Sequence, residues 1–173
     1  MVTTRPDRSE AAEYYFRYID TVPDGDIRQT LTTQRDEMHR LFSGVPQARH
    51  GFRYADDKWT LRQVVGHLSD TERMFAGRAL WFARRLEGEM PSFDQDISIA
   101  SGEFDARSWT SLVDELETVR AATVSLFSDL PDAAWDRRGI ASGNPFTVRA
   151  LGWLAAGHMA WHLRILRERY LSE

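Results

Sequence analysis

The sequence lacks both cysteine and any long apolar run. Zero cysteines among 173 residues exclude disulfides, thiolate nucleophiles and cysteine-ligated zinc. Any bound metal ion must therefore be held by histidine, carboxylate or water. No run of about 18 apolar residues is present, which argues against a membrane span. Residues 1–7 lack the apolar segment of a secretory signal, so we expect a cytoplasmic protein.

The chain also lacks an excess of positive charge. Its 22 basic and 26 acidic residues give a formal net charge of -4 at pH 7. This balance provides no overall attraction to nucleic acid or to anionic lipid, so neither is expected as a partner. With 42% hydrophobic residues, the 173-residue chain is long enough for one domain with a substantial core.

Four main helices are predicted from apolar side chains that recur at helical spacing. Their expected ranges are 26–43, 60–86, 108–127 and 144–170. No strand pattern competes with them. The sequence therefore predicts an all-α four-helix bundle over 26–173, with a tail and an aromatic segment over 1–25 that pack on the bundle.

Residues 91–105 contain Pro, Gly, Ser and acidic side chains without helical periodicity. They predict a long connection between the second and third helices. A loop of this length indicates either a lid over a site or a crossover between helices that are not neighbours.

The second and fourth helices begin with the same motif. Trp59-Thr60-Leu61-Arg62 and Phe146-Thr147-Val148-Arg149 each place an aromatic residue before a threonine that can cap the helix. In the second helix, Gln63 completes a capping box. The repetition can record a duplication, but ordinary helix-start chemistry explains it equally well.

Two histidines lie four residues apart in the stretch GHMAWH at 157–162. His158 and His162 share one face of the predicted helix, and that face also carries apolar residues such as Leu151 and Leu154. Both rings should therefore point inward. They could bind one metal ion, or they could be core residues hydrogen-bonded to neighbours. His67, on the inner face of the second helix, is the candidate third ligand.

Charged residues near His67 offer further candidates. Asp70 lies three residues after His67 and could be a ligand, a partner of a ligand or a base for bound water, although pairing with Arg73 is the alternative. Arg73 or Arg78 could hold an anionic substrate.

The remaining two histidines, His39 and His50, are interpreted as surface residues rather than ligands. His39 is one step off the inner face of its helix, and His50 lies in a polar loop.

Three segments of the chain resemble the DinB-like superfamily of small helical bundles, which includes YfiT-type metal-dependent hydrolases. They are KWTLRQVVGHLSDTER at 58–73, GHMAWH at 157–162 and ILRERY at 165–170. The similarity extends from about Asp26 to the C-terminus. It implies that His67, His158 and His162 are the three ligands of a divalent metal ion, zinc or nickel, and that the bundle forms a homodimer. Related branches imply a reaction that uses a low-molecular-weight thiol.

The sequence therefore favours a metal-dependent enzyme, either a hydrolase or a thiol-dependent transferase, that acts on a small molecule. Asp70 is the candidate catalytic residue. The alternative is a non-catalytic stress-response protein that binds a metal ion or has a structural role. Open ligand positions beside a pocket would favour catalysis, whereas a saturated, buried ion would favour a structural role.

Overall fold

Six α-helices and one β-hairpin are present in the computed structural model, which describes residues 4–172. The helices are α1 (Glu13–Ile19), α2 (Ile27–Ser43), α3 (Leu61–Ala83), α4 (Gln95–Ser101), α5 (Trp109–Ser128) and α6 (Val148–Ile165); the strands are β1 (Arg138–Ala141) and β2 (Asn144–Thr147). Single 3-10 turns lie at Arg8–Glu10, Gln47–Arg49, Phe104–Ala106 and Asp132–Ala134, and a π-helical turn at Leu166–Tyr170 follows α6. Residues 1–3 of the predicted tail and residue 173 lie outside the described part.

The predicted helix starts are confirmed by their caps. The Asp26 side chain accepts a hydrogen bond from the backbone N–H of Arg28 at the start of α2. At the start of α3, Thr60 Oγ1 accepts from the N–H of Gln63 at 3.1 Å, and Gln63 Oε1 accepts from the N–H of Thr60 at 2.9 Å. This capping box satisfies two backbone donors that would otherwise have no partner.

The four long helices α2, α3, α5 and α6 form the predicted bundle. Helix α2 packs against α5 and α6, and α3 packs against the same two helices. Helices α2 and α3 therefore lie at opposite corners, and the chain crosses the bundle within 44–60. No helix of the described residues is long and apolar enough to cross a bilayer.

The long connection between α3 and α5 joins neighbouring helices, so its interpretation as a crossover is wrong. It also contains the short helix α4, which we did not predict. The Asp94 side chain caps α4 by accepting hydrogen bonds from two backbone N–H groups. Seven residues are too few to establish a helical period in the sequence. Both α4 and the following 3-10 turn at Phe104–Ala106 pack back onto α3.

The β-hairpin before α6 is a second feature that the sequence did not predict. Strands β1 and β2 pair antiparallel, and Ser142 and Gly143 both have positive φ, as a tight primed turn requires. Four-residue strands are too short to show a clear alternation. Residues 144–147, which we predicted as the entry to the fourth helix, pair with β1, and the helix begins at Val148 with Thr147 as its predicted cap.

One buried polar network connects all four long helices. Arg120 of α5 is fully buried and donates to Glu72 of α3 at 2.7 Å and to Gln34 of α2 at 3.1 Å. The Gln34 amide in turn donates to the carbonyl of Ala156 in α6 at 2.9 Å. Burial raises the pKa of Glu72, while the charge of Arg120 opposes that shift.

Candidate metal centre

Three histidines from two helices meet inside the bundle. His67 comes from α3, and His158 and His162 come from α6. One ring nitrogen of each can be chosen so that all three lie within 4.8 Å of one another. The Nε2 atoms of His67 and His158 are 3.1 Å apart. Because α3 and α6 pack directly, residues separated by 91 positions reach one point.

A glycine precedes both His67 and His158, and each glycine allows another segment to pack close to the cluster. A Cβ atom at Gly66 would lie 2.3 Å from the ring of Phe104. A Cβ atom at Gly157 would lie 2.2 Å from the backbone oxygen of Tyr18 in α1. The absence of these side chains therefore lets Phe104 cover α3 and lets α1 lie directly on α6.

The histidine cluster is electrically neutral at ordinary pH. Burial lowers the pKa of His67 to about 3, with a further contribution from His162, and lowers the pKa of His162 to about 4. Burial, then the neighbouring His162 and His67, lower the pKa of His158 well below its usual value. Neutral imidazole has a nitrogen lone pair available for a metal ion, whereas imidazolium does not.

The donor set fits one divalent ion. Two nitrogen ligands at about 2.0–2.1 Å from a tetrahedral zinc ion would lie about 3.3 Å apart, close to the observed His67–His158 separation. Thr71 Oγ1 lies 3.3 Å from His67 Nδ1 and 3.5 Å from His67 Nε2, so it contacts the edge of the ring between its two nitrogens.

The alternative is that the rings are core residues satisfied by hydrogen bonds, and the contacts argue against it. Within residues 4–172, His158 has only His67 as a hydrogen-bond partner, and His162 has none. The two rings pack against each other, and His158 also packs against Tyr18 and Phe75. None of these ring nitrogens is among the fully buried side-chain atoms without a partner, and His162 is half-buried, so the nitrogens that the protein leaves unpartnered are available to water or to a metal ion.

The histidine cluster lies between two surface pockets. The first, which we call the tyrosine pocket, has a volume of about 270 Å³ and reaches His67 and His158. Its walls include Tyr14, Tyr15, Tyr18, Thr71, Phe75 and Arg78. The second, which we call the Trp59 pocket, also has a volume of about 270 Å³ and reaches His162. Two approaches to one cluster leave room for small molecules beside a metal ion.

Asp70, the predicted catalytic residue, lies beside the cluster in sequence but has other partners. Its carboxylate accepts a hydrogen bond from Ser98 at 2.6 Å and lies 3.5 Å from Arg73. It lines neither pocket. Arg73, the first candidate for anion binding, pairs with Glu115 at 2.6 Å on the surface. Arg78, the second candidate, lines the tyrosine pocket.

His39 and His50 lie away from the three-histidine cluster. His39 is exposed and its Nδ1 atom is 2.8 Å from Glu117. His50 is buried rather than on the surface as we interpreted it, because its ring stacks on Trp109 with centroids 4.3 Å apart.

Sequence reasoning missed the tyrosines of α1 as site residues. We expected this aromatic segment only to pack on the bundle, yet Tyr14, Tyr15 and Tyr18 line the tyrosine pocket. The Tyr18 ring contacts the His158 ring edge-on, with centroids 5.4 Å apart. Three tyrosines within five residues were the available signal, since tyrosine combines an apolar ring with a polar end.

Comparison with known proteins places this arrangement in context. A family model described as the DinB superfamily matches residues 30–166. YfiT from Bacillus subtilis, described as a probable metal-dependent hydrolase with an unusual four-helix bundle topology, has a TM-score of 0.68 at 16% identity, over 96% of this chain and 94% of YfiT.

A mycothiol-dependent maleylpyruvate isomerase has a TM-score of 0.67 at 15% identity, over 85% of this chain and 61% of the isomerase chain. At such identities the likeness to both solved structures shows the fold alone. Among curated proteins, none matches the sequence significantly.

Proposed function

The chain belongs to the DinB superfamily, and we propose that it is an enzyme that binds one divalent metal ion, zinc or nickel, through His67, His158 and His162. The observation that carries this proposal is the convergence of three neutral imidazoles between two pockets. A structural ion would need a closed set of four ligands. The described residues offer three such groups within reach of one ion.

The residues around the cluster have separate tasks in this proposal. The three histidines hold the ion, and the Thr71 hydroxyl contacts the edge of the His67 ring. The Trp59 ring packs against His67 and the Phe75 ring packs against His158, which holds these two histidine rings in place. A bound divalent ion would supply the positive charge that lowers the pKa of a water or thiol and polarises a substrate.

The reaction is either hydrolysis or transfer to a low-molecular-weight thiol. The two pockets support the second reaction, because a thiol and its acceptor could approach the cluster from different sides. The solved isomerase of the same fold is described as mycothiol-dependent, which adds to this support. Homodimer formation remains a prediction that sedimentation of the purified protein would check.

Metal analysis tests the proposal directly. Protein purified without nickel affinity should contain about one zinc or nickel ion per chain, and His158→Ala should lower the occupancy strongly, because two histidines cannot form a comparable site. His39→Ala is the matched control, since His39 is exposed and lies outside the cluster. Unchanged occupancy in His158→Ala would contradict the proposed ligand set.

A screen of thiols with electrophilic substrates, run beside a screen of hydrolysable esters and amides, separates the two reactions. Turnover that requires both the metal ion and an added thiol would identify a transferase, whereas turnover with water alone would identify a hydrolase. Full metal occupancy without ligand binding in either pocket would instead support the non-catalytic alternative.

A further inference from the structure

Arg78 is a buried cation without a carboxylate partner. Its side chain extends from α3 and is only 3% exposed. Its Nη2 atom donates to the carbonyl oxygen of Pro91 at 2.9 Å and to Ser142 Oγ at 2.8 Å. Within residues 4–172, Nε and Nη1 donate to no acceptor, and no Asp or Glu oxygen lies within ion-pair distance. Two neutral acceptors therefore position the guanidinium without balancing its charge.

Arg120 and Arg149 show one way in which this protein compensates an enclosed arginine, although the half-buried Arg62 and Arg137 also have no carboxylate partner within residues 4–172. Arg120 is fully buried and pairs with Glu72 at 2.7 Å. Arg149, with 15% of its side chain exposed, pairs with Glu10 at 3.1 Å. Burial lowers the pKa of Arg78, yet arginine stays protonated in proteins. An uncompensated buried charge is costly, and Arg78 is the most deeply buried arginine of residues 4–172 that lacks a carboxylate partner, so its charge requires a reason.

The tyrosine pocket provides that reason, because Arg78 forms part of its wall. The pocket contains no Asp or Glu among its lining residues, although the chain has 26 acidic residues. Its polar groups are tyrosine, threonine, serine and glutamine side chains besides the two histidines. No group that lines this pocket can neutralise Arg78, so an anion that enters the pocket would become its charge partner.

Arg78 and the metal centre lie along one face of α3. The eleven residues from His67 to Arg78 complete three turns to within about 20°, and the intervening Thr71 and Phe75 line the same pocket. The helical rise separates the two Cα atoms by about 16 Å. A ligand that reaches both groups must span the part of this separation that the Arg78 and histidine side chains do not cover.

We propose that Arg78 binds the carboxylate of the small molecule whose other end reacts at the histidine cluster. This assignment rests on the proposed metal-dependent function and narrows its substrate class to elongated carboxylates. The carboxylate belongs either to the substrate or to the thiol that reacts with it. In both cases the negative charge of the carboxylate balances the positive charge of Arg78.

A matched series of thiol acids and thiol alcohols tests the proposal. Cobalt-loaded protein would be titrated with ω-mercaptoalkanoates and ω-mercaptoalkanols from propyl to undecyl, and thiolate-to-cobalt absorption would report binding at the metal. We expect at least one acid to bind on the order of 10- to 100-fold more tightly than its alcohol, the range typical of a hydrogen bond to a charged group.

Substitutions at Arg78 identify the group responsible. Arg78→Gln should abolish the preference for the acid, and Arg78→Lys should retain part of it. Arg73→Gln, on the same helix but paired with Glu115 at the surface, should keep the full preference. Thermal unfolding of each variant shows whether loss of the contacts to Pro91 and Ser142 has disturbed the fold. An equal affinity for acid and alcohol at every length, or a preference that survives in folded Arg78→Gln, would overturn the assignment.

The same thiol acids and thiol alcohols distinguish failure of the Arg78 assignment from failure of the proposed metal-dependent function. If the protein does not bind cobalt, calorimetry on metal-free protein still compares each acid with its alcohol. A preference that depends on Arg78 would then support the carboxylate site while removing the metal centre. Cobalt binding without an acid preference would keep the metal centre and overturn the carboxylate site, and so would failure of every probe to bind.

A competition experiment identifies the source of the carboxylate. Simple alkanoates that lack a thiol would be added to the reaction that the substrate screen identifies. Competition with the thiol assigns the carboxylate to the thiol, and competition with the acceptor assigns it to the acceptor. Competition with neither would contradict the proposal.

Discussion

Two buried polar clusters in this bundle differ in how their groups are satisfied. The Glu72–Arg120–Gln34 network has its charges paired, is at most 7% exposed and connects the four long helices. The cluster of His67, His158 and His162 lies close to this network. The positive charge of Arg120 therefore contributes to the low pKa of His158. Its rings contact mainly one another and border two pockets.

This difference separates a structural role from a chemical one. In the first network, each side chain has at least one hydrogen-bond partner within the protein, and the network orders the packing of the helices, although Glu72 Oε1 and Arg120 Nε have no partner among the described residues. In the histidine cluster, neutral nitrogens lack such partners and face space that small molecules can enter. We therefore expect substitutions in the two clusters to affect different properties.

The largest expected effect is loss of stability in Arg120→Met. The substitution leaves the Glu72 carboxylate buried without a charge partner, so the free energy of unfolding should fall by about 3–5 kcal/mol. Urea denaturation measures this change. The double variant Arg120→Met with Glu72→Leu should recover most of the loss, because both charges are then removed. A single-variant loss below about 1 kcal/mol would show that the network is not structural.

Gly157→Ala should have the next largest effect, and it acts at the edge of the histidine cluster. The added Cβ atom would lie 2.2 Å from the backbone oxygen of Tyr18, so α1 must shift away from α6. We expect a loss of about 1–3 kcal/mol in the free energy of unfolding. Weaker ligand binding in the tyrosine pocket should accompany it.

Gly77→Ala is the control for that variant. A Cβ atom at Gly77, inside α3, meets nothing within 4 Å. Alanine favours the helix more than glycine does, so this variant should raise the free energy of unfolding by about 0.5–1 kcal/mol. Equal effects of the two substitutions would indicate that α1 is not held against α6 at this point.

Metal removal should have a smaller effect on the free energy of unfolding than Arg120→Met or Gly157→Ala. The apolar core is already complete without the histidines, since two clusters of buried side chains extend along the bundle. Chelation should therefore abolish activity while the helical circular dichroism at 25 °C is retained. Loss of the helical signal would make the ion a structural element and would remove the contrast between the two clusters.

The smallest expected effect on stability is that of Asp70→Asn. The Asp70 carboxylate pairs with Arg73, which is 48% exposed, and such pairs contribute about 0–1 kcal/mol. The same variant tests the predicted catalytic role of Asp70. A fall in turnover of about 100-fold or more at unchanged metal content would support that role. Unchanged turnover would limit Asp70 to its contacts with Ser98 and Arg73.

The accuracy of the sequence predictions depended on the range of the interactions involved. Helix starts at Asp26, Thr60 and Thr147 were predictable because capping involves residues two or three positions apart. The hairpin and α4 were missed because four to seven residues are too few to show a period. The pocket-lining role of Tyr18 could not be predicted, since it depends on close packing at Gly157.

The sequence by itself determined that His158 and His162 share one helical face and that His67 lies on an apolar stripe, because helical spacing is a local property. Only the tertiary structure decided that these faces meet, with His67 and His158 nitrogens 3.1 Å apart. It also decided that Arg78, unlike Arg120, has no carboxylate beside it. Such relations join residues distant in sequence, and helix packing rather than local spacing sets them.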